Sequence, residues 1–245
     1  MTATERIPGE QLASRRPAQA RDQSASWLSP IEPAAGSSGD APLIGVLALQ
    51  GDVLEHVRML QGAGARPVPV KRADDLDALD GIIIPGGEST TIGKLAEMYG
   101  LLDPLRKRLA DGMPAFGTCA GAILLSRETL NDDGSASSQP LLAVMDIVTR
   151  RNAFGRQVAS FEADLDVAGL DGGALHAVFI RAPWIERVGP GVQALARVPT
   201  QAGDKVVVAR QGDLLASAFH PELVGDDRLH RLFVTMARAR RGASE

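Results

Sequence analysis

From Leu43 onward the chain alternates short unbroken apolar runs with longer stretches whose apolar residues recur every three or four positions. Leu43-Ile44-Gly45-Val46-Leu47-Ala48-Leu49 contains no polar residue, as expected of an internal parallel strand that is apolar on both faces. Asp52 to Gln61 then carries Val53, Leu54, Val57 and Leu60 at helical spacing. Arg66 to Val70 and Gly81 to Ile84 read as two further strands, with helices over Thr90 to Tyr99 and Asp103 to Ala110. Met113 to Gly117 reads as a fourth strand, and Ala120 to Glu128 as the helix that follows it.

Beyond a polar loop, Asn131 to Pro140, the pattern turns β-like. Strands are expected over Leu141 to Val148, Phe161 to Val167, Ala174 to Ile180, Val206 to Arg210 and Leu214 to Phe219. A closing helix, Asp226 to Arg240, puts Leu229, Leu232, Phe233 and Met236 on one face. Strands alternating with helices predict an α/β fold of three layers, a mostly parallel sheet with helices on both faces. Such sheets bind ligands beyond the carboxyl ends of their strands. The glycine loop after Ile84 and the segment around Cys119 both fall there.

Residues 1–41 follow neither period. They hold prolines at 8, 17, 30 and 33 and one aromatic, Trp27, so they cannot bury enough apolar surface to offset ordering. A disordered tail is expected, with a short motif around Trp27 as the alternative, and a single domain over residues 42–241. The formal net charge of -4 and the lack of a sustained basic block argue against nucleic acid as a partner. Ala41 to Leu49, the longest apolar run, is far too short to span a bilayer. One cysteine cannot close an intramolecular disulfide, so a cytoplasmic protein without a membrane partner is expected.

Three short segments carry the candidate chemistry. Gly117-Thr118-Cys119-Ala120-Gly121 places the only cysteine between two glycines at a strand-to-helix turn. A lone cysteine is commonly a small buried hydrophobe; this spacing is instead the nucleophile-elbow pattern with sulfur in place of hydroxyl. His220-Pro221-Glu222 sets a carboxylate two residues from an imidazole, and extended backbone there would turn both side chains to one side. Glu222 could then hold one ring nitrogen and leave the other to the sulfur. The alternative is a surface turn with a solvated Glu222. Pro85-Gly86-Gly87-Glu88-Ser89-Thr90 offers backbone N–H groups, and Gly87 with Ala120 could face a developing oxyanion. A phosphate-cradling role competes in principle, but no Gly-Lys-Ser/Thr follows, which argues against a P-loop.

The order of glycine loop, cysteine elbow and His-Pro-Glu resembles the class I (triad) glutamine amidotransferases, whose fold is flavodoxin-like. Leu49-Gln50-Gly51-Asp52, Pro85 to Thr91, Phe116 to Gly121, Arg151-Asn152-Ala153-Phe154-Gly155-Arg156-Gln157, Phe179 to Pro183 and Phe219 to Leu223 are similar to the glutaminase subunits of pyridoxal 5'-phosphate synthase. The resemblance spans residues 43–240 and implies hydrolysis of L-glutamine to L-glutamate and ammonia. It implies Cys119 as nucleophile, His220 as general base then acid, and Glu222 as orienting acid. Gly87, Glu88, Ser89, Arg151, Ile180 and Arg181 match the substrate-binding positions; an arginine suits a carboxylate because its guanidinium can grip both oxygens. Either arginine could equally be a surface charge or a structural ion pair.

The implied partner is the synthase barrel subunit, in a large hetero-oligomeric complex that receives the ammonia. No cofactor and no metal are expected, since thiol, imidazole and backbone fill every role. The tail and a loop at residues 131–139 that is longer than usual depart from the family pattern. Three rival readings stand beside this one. They are a glutaminase feeding another acceptor, such as imidazole glycerol phosphate synthesis, a protease-like cysteine hydrolase, and a catalytically silent scaffold.

Overall fold

The computed structural model describes residues 41–154 and 160–243. The expected tail lies outside them, as do Gly155, Arg156 and Gln157 of the Arg-Asn-x-Phe-Gly-Arg-Gln segment.

The first half is built from β1 (Leu43–Leu47), α1 (Val53–Gly62), β2 (Arg66–Val70), β3 (Gly81–Ile84), α2 (Ser89–Met98), α3 (Leu102–Ala110), β4 (Ala115–Thr118) and α4 (Ala120–Leu125). The second half adds β5 (Ser126–Leu130), β6 (Met145–Arg150), β7 (Ser160–Leu165), β8 (Leu175–Ile180), β9 (Trp184–Val188), β10 (Gln193–Val198), β11 (Lys205–Gln211), β12 (Leu214–Ser217) and α5 (Arg228–Gly242).

The main sheet runs β2-β1-β3-β4-β12-β11-β9-β6-β5, with β10 paired to β11. Its first five strands are parallel, so β12 returns from the far end of the chain to lie beside β4. That return puts His220 next to Cys119. Antiparallel β11, β9 and β6 extend the sheet, and β7 and β8 form a separate antiparallel ribbon. The edge strand β2 tolerates Pro67 and Pro69 because a missing N–H there costs no ladder bond.

Strand alternation produces the three layers. Ile44, Val46, Ile83 and Phe116 pack with α1 and α5 residues such as Leu60, Leu229 and Phe233. Leu47, Ile82, Ile84 and Ala115 face the other way, onto Ile92, Leu105 and Leu124 of α2, α3 and α4. The expected α/β fold and its parallel sheet are therefore present.

Three expectations change. The helix over Ala120 to Glu128 stops at Leu125, and Ser126–Leu130 is a strand parallel to β6. Ser126 turns the chain out of the helix at ψ 147, its hydroxyl donating to the Ile123 carbonyl at 2.6 Å and lying 3.1 Å from Thr149 Oγ1. Tertiary pairing with β6 thus overrides a helix-compatible sequence. The strand expected over Leu141 to Val148 begins only at Met145 and runs to Arg150. Strands β9 and β10 had no predicted counterpart.

Candidate active site

Cys119 sits at the junction of β4 and α4 with φ 47 and ψ -102, a left-handed conformation that costs a non-glycine residue energy. The surrounding glycines make that turn possible. A side chain at Gly121 would bring its Cβ to 1.9 Å from the Ile84 carbonyl oxygen, and one at Gly117 would meet Gly121 backbone at 2.5 Å. Both positions need glycine so that α4 can lie against β3 and β4. The thiol is buried, 7% exposed.

His220 follows β12 and faces this thiol, whose sulfur is one of the groups that raise the imidazole pKa. The ring is oriented from behind, with Nδ1 2.8 Å from Glu222 Oε1. The backbone achieves this differently from the extended run expected. Pro221 opens a single 3₁₀ turn, Pro221–Leu223, and the turn brings Glu222 back under the ring. Sequence reasoning missed a second carboxylate, Asp52, whose Oδ2 lies 3.3 Å from the same Nδ1. Burial alone would push the imidazole down. The hydrogen bonds to Asp52, Cys119 and Glu222 and the charge on Cys119 outweigh it and raise the pKa to about 12. Glu222 is driven up chiefly by burial, which its bond to His220 opposes.

The two glycine loops close the site from the β1 and β3 side. Gly86 abuts the His220 imidazole, where a Cβ would come within 2.3 Å of Cε1. Gly87, at φ 143, lies in a region open to glycine, and its neighbour Glu88 donates its N–H to Gln50 Oε1 at 2.9 Å. The Gln50-Gly51 turn, whose role the sequence left open, therefore props the loop that carries Gly87. Ala120 is the first residue of α4 and is buried.

The substrate-binding candidates fall into two groups. Glu88 caps α2 by accepting from Thr90 N at 3.2 Å and Thr91 N at 2.7 Å, and pairs with Arg151 at 2.9 Å. Burial works against that carboxylate, but the bonds from Thr91 and Thr90 and the Arg151 charge hold it below its ordinary value. Ser89 is buried, with its hydroxyl donating to Gln139 Oε1 at 3.0 Å. Gln139 belongs to the long 131–139 loop, so that loop reaches the start of α2. Ile180 ends β8 and Arg181 follows it, both exposed, with Arg181 held at φ 43. The ribbon also touches the site through Val178, whose carbonyl accepts from His220 N at 3.1 Å.

Sequence reasoning also missed His56 and His230, fully buried on α1 and α5 below Glu222. Each sits on the apolar face of its helix, between Val53 and Val57 in one case and beside Leu229 in the other. A histidine at a position the helical period reserves for the core was the available signal.

As for metals, Asp52, His220 and Glu222 are the one group of three potential ligands with atoms within 4.8 Å among the described residues. The imidazole atom they share, Nδ1, is the one already engaged by the carboxylates.

Residues 46–239 match the model of the SNO glutamine amidotransferase family. The pyridoxal 5'-phosphate synthase subunit PdxT of Nocardia farcinica is 57% identical over 209 residues, covering 85% of this chain and 90% of that protein. PdxT of Parafrankia sp. is 59% identical over 202 residues, covering 82% of this chain and 96% of its own. Among solved structures, a crystal structure of a glutamine amidotransferase shares 52% identity at a TM-score of 0.72, covering 79% of this chain and 98% of that one.

Proposed function

The chain belongs to the SNO glutamine amidotransferase family, and from that premise we propose that Cys119, His220 and Glu222 are the triad through which it hydrolyses L-glutamine. The chain is a glutamine amidotransferase, the glutaminase subunit of pyridoxal 5'-phosphate synthase. The observation that carries the triad is the His220 imidazole, fixed through Nδ1 by Glu222 at 2.8 Å and brought by the pairing of β12 with β4 beside the positive-φ elbow of Cys119.

The reaction runs in two steps. Cys119 sulfur, its proton taken by His220, attacks the side-chain carbonyl carbon of glutamine. The oxyanion is held by the backbone N–H groups of Gly87 and Ala120. Collapse of the tetrahedral species breaks the C–N bond, His220 gives its proton to the leaving nitrogen, and ammonia departs from a glutamyl thioester. Water deprotonated by His220 then attacks the thioester, releasing glutamate and restoring the thiol. Glu222 keeps the productive tautomer and stabilises the imidazolium formed on the way.

Around this centre Gly87, Glu88, Ser89, Arg151, Ile180 and Arg181 line the approach for the substrate. The Glu88–Arg151 pair means that Arg151 reaches a substrate carboxylate only by sharing its guanidinium with Glu88. Ammonia passes to the synthase barrel subunit within a hetero-oligomeric complex. Among the described residues no helix is long and apolar enough to cross a membrane.

The test is glutamate or ammonia release from L-glutamine, by the chain alone and with its barrel subunit. Release that rises with the barrel subunit and disappears in Cys119→Ala supports both the triad and the partner. Equal release with and without the barrel points to another acceptor, and full activity in Cys119→Ala removes the nucleophile assignment.

A further inference from the structure

No step of this hydrolysis uses His56 or His230, yet both are fully buried directly behind the triad. His56 Nδ1 lies 2.9 Å from His230 Nε2. His56 Nε2 lies 3.1 Å from the Thr118 hydroxyl and 3.5 Å from Glu222 Oε2. Two buried atoms at the ends of this chain have no hydrogen-bond partner, Glu222 Oε2 and His230 Nδ1.

Those two atoms set the direction in which the protons point. With its proton on Nδ1, His56 would donate to His230 Nε2. The His230 proton would then sit on Nδ1, a buried N–H with no acceptor, and His56 Nε2 would be left to accept from the Thr118 hydroxyl while turning a lone pair toward the Glu222 carboxylate. The opposite arrangement has neither fault. His230 Nε2–H donates to His56 Nδ1, His56 Nε2–H donates to Thr118 Oγ1 with Glu222 Oε2 at 3.5 Å on the same side, and no buried N–H is left unpaired. Both rings are neutral. Burial pushes His56 well below its ordinary value, with the charges of His230 and His220 adding to it, and burial pushes His230 down to about 4 against the pull of Asp227.

We propose that His56, oriented by His230, is a positioning residue for the glutaminase reaction: its neutral N–H keeps Glu222 ionised and aligned on His220. The inference rests on the triad reading above. A neutral donor suits this place better than a lysine or arginine, because a fixed positive charge would oppose proton uptake at His220. The groups facing Glu222 are His220 from its own turn, Asp52 from the loop before α1, and His56 from α1. His230 and Asp227 stand behind His56, and Cys119 reaches Glu222 only through His220. Burial and the Asp52 charge both drive the Glu222 carboxyl up, and His220 opposes them; a His56 N–H 3.5 Å from Oε2 would act in the same sense as His220.

The test compares wild type, His56→Leu and His56→Gln in complex with the barrel subunit, reading kcat and KM for L-glutamine as a function of pH. The leucine removes the donor; the glutamine returns an N–H near the position of Nε2. We expect His56→Leu to lower kcat by about 10- to 100-fold with KM little moved. Its acid limb should shift to higher pH by about one unit or more, and His56→Gln should recover most of both. A folded His56→Leu with wild-type kcat and acid limb would overturn the proposal, as would a folded glutamine variant no better than leucine. Should these core substitutions prevent folding, ¹⁵N-histidine NMR of the wild-type protein decides by proton location. Neutral rings protonated on Nε2 at both positions support the proposal, and a proton on Nδ1 of His56, or a cationic ring, refutes it. Wild type without any glutamine turnover would count against the triad reading instead, leaving the NMR result to judge the proton direction.

Discussion

Two histidines in this molecule are each held by two carboxylates, and only one of them is placed to do acid–base chemistry. On the β7–β8 ribbon, His176 Nδ1 lies 2.8 Å from Asp164 and Nε2 lies 3.2 Å from Glu162. At the elbow, His220 receives both Glu222 and Asp52 on the single atom Nδ1. Both imidazoles are raised in pKa, His176 first through its bond to Asp164. What separates them is geometry and burial. His176 spends both nitrogens on surface partners in water, whereas His220, 6% exposed, takes both carboxylates on Nδ1 and leaves Nε2 free of them. A raised histidine pKa therefore does not by itself set the proposed base apart in this chain; an unspent ring nitrogen in a closed site does.

The largest effect that would sharpen this contrast is at the sulfur. Cys119→Ala should reduce glutamine turnover to background with an unchanged melting curve, read by glutamate release and circular dichroism. Next, Glu222→Gln should lower kcat by about 10³- to 10⁴-fold by releasing the tautomer, with KM nearly constant. A loss of tenfold or less would mean that Asp52 can orient His220 by itself. Gly86→Ala should cost on the order of 10²-fold in kcat/KM, because the new methyl displaces the ring it meets at 2.3 Å. A variant with wild-type kinetics would show that the imidazole is not confined from that side.

Acid stability comes next in size. His230 has a folded pKa of about 4 against 6.5 unfolded, so only the unfolded chain takes up this proton between those values. Its contribution is complete above pH 6.5 and is lost as pH falls toward 4, on the order of 3 kcal/mol in all. Denaturation of wild type and His230→Phe over that window checks it: the wild-type curve should fall more steeply. Smallest of all, His176→Ala should leave turnover and melting temperature at wild-type values, and a clear fall in kcat would break the comparison.

Much of the site was legible because its chemistry is local. Gly117, Cys119 and Gly121 declare the elbow within five positions, and Pro221 ties His220 to Glu222 within three. The apolar runs at β1 and β3 likewise declare a sheet buried on both faces. What could not be read depends on distant partners. Ser126–Leu130 has helix-compatible chemistry and becomes a strand only because β6 is there to pair with it. Asp52 reaches His220 only because β12 returns beside β4. His56 and His230 are 174 positions apart, and a pattern that scores histidine as polar sees two flaws in two amphipathic faces where the structure has one contact.

The prolines of β2 have a consequence for the molecule in a crowded solution. Arg66 N donates to Pro42 O at 2.9 Å and Val70 O accepts from Ala48 N at 2.8 Å, so these residues spend their backbone groups on the β1 side. By strand alternation Pro67 and Pro69 hold the outward positions, where neither can donate. The rim of a long sheet is ordinarily an invitation to polymerise, one chain adding its strand to the next. Here the rim offers carbonyls without donors, so a stranger's strand can satisfy only half of its own hydrogen bonds there. The same two residues that look like interruptions in a strand insulate the molecule against its own copies.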